Sequence, residues 1–158
     1  MPTRAQFIAK GREFLRTPYR HEGRLKNIGI DCIGIPLCMC EELGISDKHG
    51  VPIRGGDYRG YPQQPTNNFV HEELQRRAIE KPVSQMQPGD VLTICFPSIP
   101  CHVAIVTELR GHPAILHAYS LLADSQRRGL PGWVVEHVLD AKWRRRVAGV
   151  FTMPGVEN

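Results

Sequence analysis

Apolar side chains at Phe7, Ile8, Phe14 and Leu15, with Gly11 between them, recur at the spacing of one helix face until Thr17-Pro18 stops the run. Thr3 and Gln6 form a capping box at its start. A second helix is predicted from Asp31 as cap through Leu37, Cys38, Cys40 and Leu43 to Gly44, apolar nearly all round and therefore centrally buried. Pro36 removes an N–H and disfavours helical geometry at Ile35, so this helix must start close to Cys32 or be irregular there. Residues 46–66, rich in Gly, Pro, Tyr and Gln, read as a long surface excursion. Asn67 or Asn68 then caps a third helix with Val70, Leu74 and Ala78 on one face, ending before Pro82.

Beyond Pro88-Gly89-Asp90 the pattern changes to short β-rich runs: Val91 to Phe96, His102 to Leu109, Ala114 to Tyr119, Trp133 to Val138 and Val147 to Met153. Helices first and hairpin-linked strands afterwards predict an α+β fold. N-terminal helices would pack on a five-stranded, mainly antiparallel sheet. A chain of 158 residues suits one such domain, spanning 1–158.

Charge and cysteine content narrow the function. A formal net charge of +4 is compatible with mild attraction to anionic polymers and too weak to argue for nucleic acid. Arg144-Arg145-Arg146 reads as a solvated strand edge. Five cysteines, at 32, 38, 40, 95 and 101, match no small secreted disulfide framework. The first residues lack the apolar core of a signal peptide, and no apolar run is long enough to span a bilayer, so synthesis in the cytoplasm is expected. Metal binding is not expected, since Cys-x-x-Cys is absent and Cys38-x-Cys40 is poor tetrahedral spacing. No cofactor is implied.

Cys32 in Gly29-Ile30-Asp31-Cys32-Ile33-Gly34 precedes an apolar helix, while His102 and His117 lie far downstream. A thiol at a helix start feels the positive end of the dipole, and a histidine brought near by the fold can take its proton. Facing positions in a hairpin with an even loop differ by an odd number. His102 and His117, 15 apart, can therefore be cross-strand neighbours on one face. If that face packs against the start of the Cys32 helix, nucleophile, base and orienter converge. His102, opening its strand, is the better base, whereas His117 between Leu116 and Ala118 is more enclosed. The backbone N–H of Cys32 would face a developing oxyanion. Cys38, Cys40 and Cys95 alternate with apolar neighbours and read as core.

Thr17-Pro18-Tyr19 with Gly23, the Gly29–Gly34 segment, Pro88-Gly89-Asp90-Val91, His102-Val103-Ala104-Ile105-Val106 and Leu116-His117-Ala118 together resemble the NlpC family of papain-like cell-wall cysteine peptidases. The closing Trp143–Arg146 and Val147–Phe151 resemble its phage-associated branch, whose members are linked to tail assembly or cell-wall lysis. The resemblance covers roughly residues 5–154. It implies catalytic roles for Cys32 as nucleophile, His102 as base and His117 as third, polar member. It also implies substrate contacts from Tyr19, by the reacting carbonyl, and from Asp31, which can cap the helix and meet a substrate amine. The implied substrate is a peptidoglycan stem peptide, cut at the γ-D-glutamyl to diamino-acid bond. A phage tail protein is the implied partner, and the virion tail or the cell wall the implied destination. Ile33, where the family commonly has Ser, and Pro36 depart from the pattern. The competing readings are a tail-assembly module with secondary peptidase activity and a thiol amidase or acyltransferase acting on other amides or esters.

Overall fold

Thr3 opens the first helix as its sequence predicts. Its side chain accepts from the Gln6 N–H, and the Gln6 side chain accepts in return from the Thr3 N–H, starting α1 (Arg4–Arg12). The computed structural model describes residues 1–53, 57–119 and 132–158. A short antiparallel pair, β1 (Arg24–Leu25) and β2 (Gly29–Ile30), leads into α2 (Gly34–Glu42). The helix begins after Cys32, and Pro36 is its third residue. The first four N–H groups of a helix have no partner within it, so Pro36 interrupts nothing. Gly44 follows the helix with φ of 65°, a left-handed conformation that glycine adopts without steric cost.

The third helix, α3 (Phe69–Arg77), is capped from Asn67, whose Oδ1 accepts from the Phe69 N–H at 3.2 Å. It ends earlier than predicted. Ile79–Lys81 form β3, an edge strand paired with β8 (Val147–Thr152), so the sheet has six strands among the described residues and not five. The others are β4 (Val91–Cys95), β5 (Pro100–Leu109), β6 (His112–Tyr119) and β7 (Trp133–Val138), in the spatial order β3-β8-β4-β5-β6-β7. All neighbours are antiparallel. The arginine run belongs to the end of α4 (Ala141–Arg144) and the link to β8, not to a strand edge. Asp140 caps α4 by accepting from the Trp143 N–H at 2.9 Å.

Apolar residues fill both faces of the sheet. Phe7, Phe14, Ile35, Met39 and Val70 of the helical side pack with Val103, Ile105, Leu116, Ala118 and Phe151. Leu92, Ile94, Ala104, Val106, Ile115 and Val150 form the opposite cluster with Phe96 and Trp143 at its border. Asp90 binds the ends of several elements together. Its fully buried carboxylate accepts from Arg4, Thr152, Lys81 and the Gln87 N–H at 2.7–2.9 Å. The Pro-Gly-Asp motif is thus a structural clamp.

Candidate functional site

Cys32 occupies the turn between β2 and α2, and this turn is shaped by close backbone approach. A Cβ on Gly34 would lie 2.6 Å from the Gly23 oxygen and 2.8 Å from Ile30 Cγ1. Only glycine fits there. Asp31, 2% exposed, lies beneath the turn and accepts from the Gly34 N–H at 2.8 Å, from Arg24 Nη1 at 2.9 Å, from the Glu22 N–H at 2.8 Å and from the Tyr61 hydroxyl. Arg24 also makes two bonds to Asp57 and one to Tyr61. The predicted capping role of Asp31 is realised as part of this buried network. A substrate amine could meet the carboxylate only by displacing one of these donors.

The thiol is held against β5. Backbone hydrogen bonds from Val103 and Ile33 favour its ionised form, but burial and then the Asp31 charge outweigh them and push the Cys32 thiol up to about 12. The helix-start position does not yield a resting thiolate. Tyr19 lies within electrostatic reach of both Cys32 and Asp31. Burial first, and then these two charges, raise its hydroxyl above the ordinary range.

The parity argument for the histidines holds in part. The hairpin has the two-residue turn Arg110-Gly111, with φ of 50° and 79°, and pairs Leu109 with His112 and Ile105 with Leu116. That register puts His102 and His117 on one face but diagonal to each other, not directly opposite. Their side chains span the diagonal, with His102 Nε2 2.6 Å from His117 Nδ1. His102 is the third residue of β5, not its first, because the strand starts at Pro100. The face also differs from expectation. The helices cover Val103, Ile105, Leu116 and Ala118, whereas His102 stacks edge-on with Phe96 and His117 with Trp143 on the other side. Cys32 therefore meets β5 at the backbone of Val103, the residue after His102, and the α2 helix does not lie on the histidine face.

Both imidazoles are buried, His102 at 9% exposure and His117 completely. Burial, then the charge of His137, lowers His102 to about 3, and burial with His102 and His137 lowers His117. His137, which sequence reading missed, continues the chain: His117 Nε2 lies 2.9 Å from His137 Nε2, and His137 donates from Nδ1 to the Val138 oxygen at 2.9 Å. Its signal was available, since β7 pairs with β6 and His137 alternates with Val135, the partner of His117. Among the described residues, no group of three or more His, Cys, Asp or Glu side chains could hold a metal ion.

None of the five cysteines is in a disulfide, and Cys38 and Cys40 are buried in the core as read. Cys95 is only partly buried. In the excursion, Tyr61 covers the Arg24–Asp31 pair, while the exposed Tyr58 borders a small apolar cavity of about 80 Å³. Ile33, Leu37, Phe69, Leu74, Val103 and Met153 line this cavity, so it adjoins the Cys32 turn through Ile33 and β5 through Val103. No helix among the described residues is long and apolar enough to cross a membrane.

The fold is the papain-like α+β fold of NlpC/p60 proteins. An NlpC/p60 family protein from Bacillus cereus superposes with a TM-score of 0.61 at 19% identity, over 94% of this chain and 39% of its own. The NlpC/p60 domain of the peptidoglycan hydrolase SagA superposes with a TM-score of 0.58 at 22% identity, over 96% of this chain and 99% of the domain. This chain thus spans well under half of the Bacillus cereus protein and matches the SagA domain nearly end to end. No family model matches the sequence, and no curated protein does.

Proposed function

We propose that this chain is a cysteine hydrolase of peptidoglycan stem peptides, with Cys32 as nucleophile, His102 as base and His117 as the residue that orients His102. The observation that supports the reading is the contact of the Cys32 thiol with the β5 backbone at Val103, the residue after His102, whose ring is hydrogen-bonded to His117, within an NlpC/p60 fold. His102 takes the thiol proton as sulfur attacks the amide carbon, and the oxyanion is met by the Cys32 N–H with Tyr19 nearby. Collapse breaks the C–N bond, the proton passes from His102 to the leaving amine, and a thioester remains. Water, deprotonated by His102, then hydrolyses the thioester and restores the thiol. The γ-D-glutamyl to diamino-acid bond is the proposed scissile bond on the motif resemblance, and the name of the SagA neighbour, a peptidoglycan hydrolase, supports the wall polymer as the substrate class.

Purified sacculi and defined muropeptides test the reading. The wild type should release stem-peptide fragments, and Cys32→Ser or His102→Ala should each lower turnover by at least ~100-fold. Full turnover in either variant refutes the assignment. A phage-tail setting rests on the resemblance of Trp143–Phe151 alone and predicts co-purification with tail proteins.

One observation favours a second reading, a thiol amidase or acyltransferase. The apolar cavity that adjoins the Cys32 turn through Ile33, where the family commonly has Ser, suits an apolar acyl group better than a stem peptide's carboxylates. Comparing muropeptides with long-chain acyl esters on the same enzyme separates the two.

A further inference from the structure

Hydrogen-bond chemistry assigns the tautomer of each ring in the histidine chain from its outer end. A carbonyl oxygen only accepts, so His137 carries its proton on Nδ1, facing the Val138 oxygen. In the neutral ring its Nε2 is then a lone pair, which can only accept from His117 Nε2–H. His117 Nδ1 is left as the acceptor for His102 Nε2–H. The lone pair of His102 accordingly sits on Nδ1, the nitrogen that the chain does not use.

We propose that His137 is a positioning residue that, through His117, holds His102 in its Nε2–H tautomer and so keeps Nδ1 free to take the thiol proton. The proposal rests on the reading of Cys32 and His102 as nucleophile and base, and extends it outward by one residue. Trp143 fixes the geometry, with its ring 5.0 Å from His117 and 5.1 Å from His137. The groups facing the chain are few among the described residues. β6 contributes His117 with Tyr119 beside it, β5 contributes His102, and α4 contributes the uncharged Trp143. The neighbour of His137 on β7, Glu136, is bound instead to Arg12. Among the described residues no carboxylate therefore ends the relay, and its direction depends on a backbone carbonyl. A proton gained at His102 Nδ1 is balanced by two hops, from His102 Nε2 to His117 Nδ1 and from His117 Nε2 to His137 Nε2. These leave the charge on His137, the least buried ring of the three, and Nδ1 of His102 occupied.

Nitrogen-15 NMR of the full chain, labelled at histidine, reads the tautomers without any substrate. The expected spectrum has His137 as the Nδ1–H form and His102 and His117 as Nε2–H forms, with His137→Gln preserving the latter two and His137→Phe averaging them. Gln keeps an acceptor near the position of Nε2, whereas Phe keeps only the ring's volume. A protonated Nδ1 on His102 in the wild type, or unchanged tautomers in His137→Phe, overturns the proposal, and the wild-type spectrum decides even if the Phe variant does not fold. In parallel, alkylation of Cys32 should slow about tenfold in His137→Phe and recover to within about threefold in His137→Gln. Equal slowing in both variants overturns the acceptor role. Tautomers as stated with inert muropeptides would remove the proposed substrate and leave the relay standing.

Discussion

Arg24 and Gly34 share one oxygen of Asp31. The guanidinium Nη1 and the backbone N–H both donate to Oδ1, at 2.9 and 2.8 Å, so the side chain that starts the helix after Cys32 is also half of a buried ion pair. The thiol is consequently seated beside a fixed negative charge that opposes its ionisation.

Asp31→Asn separates these effects. The amide oxygen can still cap Gly34, but Arg24 loses one of its two carboxylates. Removing one partner of a buried pair generally costs ~3–5 kcal/mol, and the retained bonds to Asp57 make the loss smaller here. The melting temperature should fall. Removing the charge should also lower the Cys32 pKa, so alkylation at fixed neutral pH should speed up in a variant that is less stable. Slower labelling of the folded variant would contradict the electrostatic role of Asp31.

Stability should decline on both sides of neutrality. His102, lowered from 6.5 to about 3, binds its proton more readily in the unfolded chain, so stability present above 6.5 is lost as pH falls toward 3. His117 adds in the same direction. Cys32 has the opposite sign: raised from 9.0 to about 12, it costs stability as pH rises through that window, because the unfolded thiol ionises first. Denaturant titrations across pH should show a shallower acid slope in His117→Phe and a shallower alkaline slope in Cys32→Ser. Unchanged slopes would mean that these groups titrate alike in both states.

Much of the scaffold was legible from local chemistry. Thr3 with Gln6, Asp31 and Gly44 are side chains or glycines that act within a few residues of themselves, and each does what its position predicts. The same-face relation of His102 and His117 followed from the period of a strand, since a two-residue turn preserved its parity. Their diagonal offset did not, because it depends on which residues begin the hairpin. Ile79–Lys81 became a strand through pairing with β8, a contact about 70 residues distant that no helical pattern records. The burial of Asp31 under Tyr61, and the Nδ1 donation of His137, likewise arise from tertiary neighbours.

Gly34→Ala should damage the site through the backbone. The added methyl would meet Gly23 oxygen, Ile30 and, at 3.1 Å, Arg24 Nη1, so the turn carrying Cys32 must open. Overpacking of this kind costs ~1–3 kcal/mol. Alkylation of Cys32 should become faster as the thiol leaves its seat against Val103, while muropeptide turnover falls. A variant with wild-type stability and turnover would show that the close approach does not constrain the turn.

Thr107 offers the converse case, a change that should strengthen the fold without touching the chemistry. It is fully buried in β5 opposite Ala114, and its Oγ1 has no hydrogen-bond partner among the described residues. An unpaired buried hydroxyl carries a desolvation penalty of ~1–3 kcal/mol, and valine has the same branched shape without it. Thr107→Val should raise the melting temperature and leave Cys32 alkylation unchanged. A fall in stability would mean that the hydroxyl is satisfied in solution, most simply by a bound water, and that the strand interior is wetter than its apolar neighbours imply.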